Sequence, residues 1–194
     1  MTEEEIHKTM ERKHAAQSAL KFFTAIKKVE SPNLGGSQTF HDFKACMTVN
    51  YYRAMCDNKW IVTQSAANAA RAGVGCCCEK MSICYTSLAS NPRLIGNSSV
   101  IMCSTGDFEH AYIVVTDLDI GGKNTFYIRQ LSITTMVVDG WTEDWYFPNL
   151  SNYDTFINNL LNIPNAMQYR IRNETKGREL KRNNPLVFLP KKKD

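Results

Sequence analysis

Histidine is scarce in this chain, with four among 194 residues, so chemistry that needs an imidazole has few places to find one. No stretch comes near the roughly 18 uninterrupted apolar residues of a membrane span, which argues against an integral-membrane protein. The opening residues, Met1-Thr2-Glu3-Glu4-Glu5, are acidic where a cleavable secretory leader is basic and then apolar. No cleavable signal peptide and a soluble mature protein are therefore expected. Paired C-x-x-C thiols are missing among Cys46, Cys56, Cys84 and Cys103. A zinc site drawn from the remaining cysteines and a histidine would have to use adjacent residues whose side chains diverge, a poor tetrahedral set. Neither an internal repeat nor a low-complexity tract is present. Excess charge is thin as well: the net charge is +4, and much of it sits in Lys176, Arg178, Lys181, Arg182 and Lys191-Lys192-Lys193. That is a basic tail without a patterned, aromatic-interleaved face, so nucleic acid is not an expected partner.

What the chain does have is enough apolar sequence, 43% of residues with 22% charged, for one domain with its own core. Its seven cysteines are an odd number and three are consecutive. Neighbouring cysteines bridge one another only with strain, so a reducing compartment is the natural reading.

The consecutive thiols lie in Gly73-Val74-Gly75-Cys76-Cys77-Cys78-Glu79-Lys80-Met81. Glycine on both sides of the turn lets backbone N–H groups approach a substrate, and a helix starting at the cysteines aims its positive end at them. Both effects favour thiolate, the attacking form. The bland alternative is that these cysteines are small buried hydrophobes at a helix start.

Around this stretch the apolar spacing predicts a helix over residues 3–30, broken at Ser31-Pro32-Asn33-Leu34-Gly35-Gly36-Ser37, then helices over 40–55 and 60–72, the last ending at Gly73. Met81, Ile83-Cys84 and Leu88 continue the cysteine helix until Asn91-Pro92, which cannot extend it. The period then changes. Ser99–Cys103, Ala111–Val115, Thr125–Arg129 and Thr135–Val138 read as strands of a mostly antiparallel sheet. Ser151 or Asn152 is placed to cap a last helix through Leu161, and Leu186–Leu189 is a lone apolar patch in a basic tail. The expected class is α+β, organised as an N-terminal helical arm (1–36), a main domain (37–163) and a basic C-terminal tail (164–194).

A thiol nucleophile needs a base within reach and a third group to orient that base. His7, His14 and His41 precede the cysteines on helical stretches, whereas His110 heads a strand in Glu109-His110-Ala111-Tyr112-Ile113-Val114-Val115. It is the best base in the chain. Asp139 ends the strand Val137-Val138-Asp139, followed by Gly140, Trp141 and Trp145, and can hold the imidazole if the two strands are neighbours.

Gly75-x-Cys77-x-Glu79 opening a helix, Glu109-His110-Ala111-Tyr112 opening a strand and Val138-Asp139-Gly140-Trp141 ending another resemble the Cys, His, Asp pattern of papain-like and transglutaminase-like cysteine enzymes. The likeness is to the small versions among effectors that bacterial pathogens inject into host cells, and it covers about residues 72–147. Glycine at 140 stands where that pattern often has proline, and cysteine flanks the nucleophile on both sides, so the choice of Cys77 over Cys76 and Cys78 rests on register.

The resemblance implies a papain-like fold in which Cys77 attacks a carbonyl or amide carbon, His110 takes its proton and Asp139 orients His110. Backbone N–H groups at the helix start, Cys78 among them, would hold the oxyanion with a side-chain amide from upstream, Gln64 or Asn68. Trp141 and Glu79 are the candidates for the substrate cleft, beside the plainer readings of packing for the indole and first-turn acid for the carboxylate. No cofactor and no metal are called for. The expected activity is thiol-dependent acyl transfer on a host protein, as a glutamine or asparagine deamidase or a transglutaminase-like enzyme, with proteolysis by the same triad as the alternative. The expected protein is a monomer, made in the bacterial cytoplasm and delivered into the host cell. From a different class, a non-catalytic binding module would use the helices and basic tail for docking and the cysteines as core.

Overall fold

The computed structural model describes residues 1–26, 28–31, 44, 47–51, 62–105, 110–117, 125–150 and 179–182. The expected helix over 151–161, the apolar patch at 186–189 and most of the expected helix over 40–55 lie outside them, although residues 47–51 are helical.

Helix α1 spans Glu3–Lys21. Thr2 caps it reciprocally with Glu5: the Thr2 N–H donates to Glu5 Oε2 at 2.7 Å and the Glu5 N–H to Thr2 Oγ1 at 3.2 Å. Where the apolar spacing predicts one helix to residue 30, the chain instead widens into a π-helical turn over Phe22–Ile26, which puts Phe23 into the core. Helix α2, Val62–Ala72, ends at Gly73, which takes φ 71, the left-handed region that glycine enters at least cost. Helix α3, Cys77–Ala89, carries the cysteines at its head and stops before Asn91-Pro92.

Strands β1 (Ser99–Thr105), β2 (Ala111–Thr116), β3 (Thr125–Tyr127), β4 (Met136–Asp139), β5 (Asp144–Tyr146) and β6 (Glu179–Arg182) form one sheet in the order β3-β6-β1-β2-β4-β5, every pairing antiparallel. The chain is an α+β protein. Two of these strands have no counterpart among the sequence expectations. The third expected strand is also shorter than predicted, since Ile128–Gln130 turns into a 3-10 helix.

Alternation along the strands gives each face its own apolar set. Ala111, Ile113, Val115, Met136 and Val138 face the helices, packing with Ala15, Ala19 and Phe23 from the N-terminal segment and Met81, Cys84 and Leu88 of α3. Ile101, Cys103, Val114, Val137 and Tyr146 cluster on the opposite face with Phe126 and Ile128. The N-terminal segment therefore shares the core that holds the cysteine helix.

One charged side chain fastens it there. Arg12 on α1 is fully buried, and its guanidinium donates to Ser98 Oγ at 3.1 Å, to Thr134 O and Oγ1 at 2.8 and 2.7 Å, and to Asp117 Oδ1 at 2.7 Å. Burial draws the Arg12 pKa down against the pull of Asp117. That of Asp117 is lowered, the Arg12 and Ser132 bonds outweighing partial burial. A buried guanidinium with this many acceptors meets the condition for tolerating a charge in a core.

Candidate active site

Antiparallel pairing of β2 with β4 brings the outlying ends of the two strands together. The register Ile113↔Val138, carried one step on, sets Asp139 opposite Tyr112, two residues from His110 and on the same strand face. Diagonal neighbours of this kind lie within side-chain reach. The His110 Nε2–H donates to Asp139 Oδ2 at 2.8 Å, with side-chain exposures of 16% and 3%. The sequence leaves adjacency of these strands open because β3 lies between them in the chain. In the fold β3 leaves for the far edge, beside β6.

The second oxygen of Asp139 is held as firmly. In the turn joining β4 to β5, the N–H groups of Trp141 and Thr142 donate to Asp139 Oδ1 at 2.8 and 3.3 Å. With both oxygens accepting, the carboxylate has a fixed plane, and its direction fixes the imidazole. The ring of His110 is flanked edge-on by Tyr112 at 4.4 Å and Trp141 at 5.2 Å between centroids. The two tryptophans that follow the acid divide: Trp141 lies against His110, whereas Trp145 packs into the core against Phe147.

Nε2 being committed to Asp139, Nδ1 is the nitrogen left for a thiol, and the thiol that meets the ring is Cys77. Cys77 is the first residue of α3, Cys76 the N-cap. Hydrogen bonds from the Cys78 side chain pull the Cys77 pKa down, and with the His110 hydrogen bond, the imidazolium charge and the Cys78 backbone N–H they outweigh partial burial and bring it to about 5. Partial burial pushes the other way on His110, but its bonds to Asp139 and Cys77 overcome that and raise it to about 9. Near neutral pH these opposed shifts favour thiolate on Cys77 and imidazolium on His110.

The loop before Cys77 is shaped by close contacts. A Cβ on Gly75 would lie 2.8 Å from Glu79 Cβ, closer than real contacts allow. Glu79 is buried under this turn and its Oε2 accepts the Cys76 N–H at 3.0 Å. Its carboxylate so holds the turn that leads into α3. Residues 28–31 are laid along the same loop: the Glu30 N–H donates to Gly73 O at 2.8 Å, the Gly75 N–H to Glu30 O at 2.9 Å, and Ser31 Oγ accepts Trp141 Nε1–H at 2.8 Å. One short segment so ties the loop before Cys77 to the turn after Asp139.

First-turn N–H groups have no intrahelical acceptor. That of Cys78 lies at the Cys77 sulfur, where it helps to lower the thiol pKa. Of the upstream amides, Asn68 is half-buried and Gln64 exposed on α2. Ser31, Tyr112 and Lys80 are the members of the neighbourhood to which sequence reasoning assigned no role. His110 and Tyr112 stand two apart at a strand head, which is the signal for a shared face.

Among the described residues no group of three or more His, Cys, Asp and Glu side chains is arranged to hold a metal ion, and no helix is long and apolar enough to cross a membrane. Compared with protein-family models, curated proteins and solved structures, the chain matches none.

Proposed function

We propose that this chain is a thiol-dependent acyl-transfer enzyme acting on a protein, with Cys77 as nucleophile, His110 as base and then acid, and Asp139 as the group that orients the base. The observation that carries the reading is the meeting of three side chains from separate elements: Cys77 at a helix N-terminus, and His110 within reach of it and 2.8 Å from a buried Asp139. The likeness of the motifs around these residues to those of papain-like and transglutaminase-like enzymes supports a papain-like arrangement of the α+β fold.

In the reaction, the Cys77 thiolate adds to an amide carbon and the carbonyl π electrons move to oxygen. The oxyanion is held by first-turn N–H groups at the positive end of α3. The His110 imidazolium gives its proton to the departing nitrogen, the C–N bond breaks and a thioester remains. Neutral His110 then takes a proton from water or an amine as it attacks the thioester, and Cys77 leaves as thiolate. Asp139 keeps the ring turned and supports its positive charge.

A side-chain carboxamide as substrate gives deamidation with water and cross-linking with an amine. A backbone amide gives cleavage. The first pair is the reading favoured for this chain, with a host protein as substrate following from the effector likeness. The test is mass spectrometry of host-cell extract incubated with wild type and with Cys77→Ala. A gain of about one dalton on glutamine or asparagine, or new cross-links, seen with wild type alone supports it. New termini instead assign proteolysis, and identical peptide maps from the two proteins would sink acyl transfer altogether.

A further inference from the structure

Lys80 is 2% exposed in the first turns of α3, and the chemistry above makes no use of its charge. Its Nζ donates to Glu143 Oε1 at 2.9 Å and sits 5.2 Å from the centroid of the Phe23 ring. Burying an ammonium with one carboxylate partner is costly, and an apolar side chain of similar volume would often serve stability as well. The partner is unusual too. Glu143 takes φ 58, the left-handed region, where a non-glycine residue is uncommon.

Glu143 belongs to the turn between β4 and β5, the turn whose Trp141 and Thr142 N–H groups hold Asp139 Oδ1. The other side of that turn also rests on Lys80: a Cβ on Gly140 would lie 3.0 Å from the Lys80 carbonyl carbon and oxygen. The acid's turn is therefore held to the nucleophile's helix at two points, one by backbone contact and one by charge. Both are at the residue three positions after Cys77.

We propose that Lys80 is a positioning residue, which through Glu143 holds the 140–143 turn against α3 so that Asp139 meets His110 in register with Cys77. The inference rests on the reading of Cys77, His110 and Asp139 as a catalytic set. Lys80 touches none of the reacting atoms. It acts by fixing the distance between the helix that carries the nucleophile and the turn that aims the acid.

The test is the rate of Cys77 carboxamidomethylation by iodoacetamide as a function of pH, with the melting temperature of each protein, for wild type, Glu143→Gln, Lys80→Met, Lys80→Arg and the Glu143→Gln/Lys80→Met double variant. A loosened turn weakens the Asp139–His110 bond, so the imidazolium is less favoured and the thiolate with it. The acid limb in Glu143→Gln and Lys80→Met should move up by about one pH unit, which is about a tenfold slower reaction below neutrality. The double variant should be no slower than Lys80→Met, and Lys80→Arg should keep most of the wild-type profile. Glu143→Gln keeps an oxygen acceptor for the buried Lys80 ammonium. Lys80→Met and the double variant leave no buried charge, since the Glu143 side chain is 35% exposed and returns to water, so the profile can be read even where Glu143→Gln does not fold. A melting temperature that falls while the acid limb of Glu143→Gln stays at the wild-type position overturns the inference alone and leaves a packing role. If wild type itself lacks fast labelling of Cys77 that depends on His110, the catalytic reading fails and this inference fails with it.

Discussion

Gly140→Ala adds one methyl group where the turn after Asp139 lies close against helix α3. The new Cβ would stand 3.0 Å from Cys84 Sγ and 3.0 Å from both the carbon and oxygen of the Lys80 carbonyl, against 3.4–4 Å for ordinary van der Waals contact. The Lys80 carbonyl is part of the helix and Cys84 is fully buried, so the turn has to retreat by several tenths of an ångström. Overpacking of this kind costs about 1–3 kcal/mol. At roughly 2–4 °C per kcal/mol for a chain of this size, a cost near 2 kcal/mol lowers the melting temperature by about 4–8 °C. The retreat also draws Trp141 and Thr142 away from Asp139, so Cys77 labelling near neutral pH should slow in the same variant. Thermal unfolding by circular dichroism and timed iodoacetamide labelling measure the two effects. A variant that melts within a degree of wild type and labels as fast would refute the close contact. The same geometry explains why proline suits this position poorly here: it would bring that Cβ and a ring besides.

Asp139→Asn keeps the shape and removes the charge opposite His110. The imidazolium is then less favoured and the acid limb of Cys77 labelling climbs from about 5, which a pH–rate series reads directly. Arg12→Met takes the guanidinium from Asp117 and Thr134; Asp117 keeps Ser132 and Lys8 and is 43% exposed, so urea denaturation should show a loss of about 2–3 kcal/mol, under the range for fully buried pairs. Burial pushes Cys84 up to about 12, and Cys103 is fully buried. Peptide mapping after brief labelling near neutral pH should find both unmodified until the protein is denatured.

Local pattern accounts for much of the fold. Helix α3 and strands β1, β2 and β4 follow from apolar period, β-branched runs and the stop at Asn91-Pro92. Strand β6 does not: Glu-Leu-Lys-Arg has neither β-branched nor aromatic residues, and it is a strand because β3 and β1 receive it on either side. Strand β5 is three residues long, too short for any period, and exists as the return arm of the β4 hairpin. Phe22 to Ile26 keeps helical spacing, yet the turn is π-helical with Phe23 in the core, a widening that apolar spacing does not signal.

The site divides in the same way. Cys77, His110 and Asp139 could be chosen by residue type and by the turns they head or follow. Their meeting depends on β2–β4 pairing, which chain order obscures. Ser31 falls in a stretch legible only as a break, and its bond to Trp141 spans 110 positions. Lys80 did leave a trace, since it stands four residues before Cys84 and eight before Leu88, on the face of α3 that has to be buried. A lysine there calls for an acidic partner, but nothing local says that the partner is Glu143.

That His110 arms Cys77 is open to pH-resolved alkylation of the native protein, with the adduct located by peptide mapping. Labelling should be selective for Cys77, with a rate that rises through about pH 5 and is level by neutrality. In His110→Ala the rise should move towards the ordinary thiol range near about 8.5. Slow labelling spread over the accessible thiols, or a Cys77 profile that His110→Ala leaves unchanged, would contradict it.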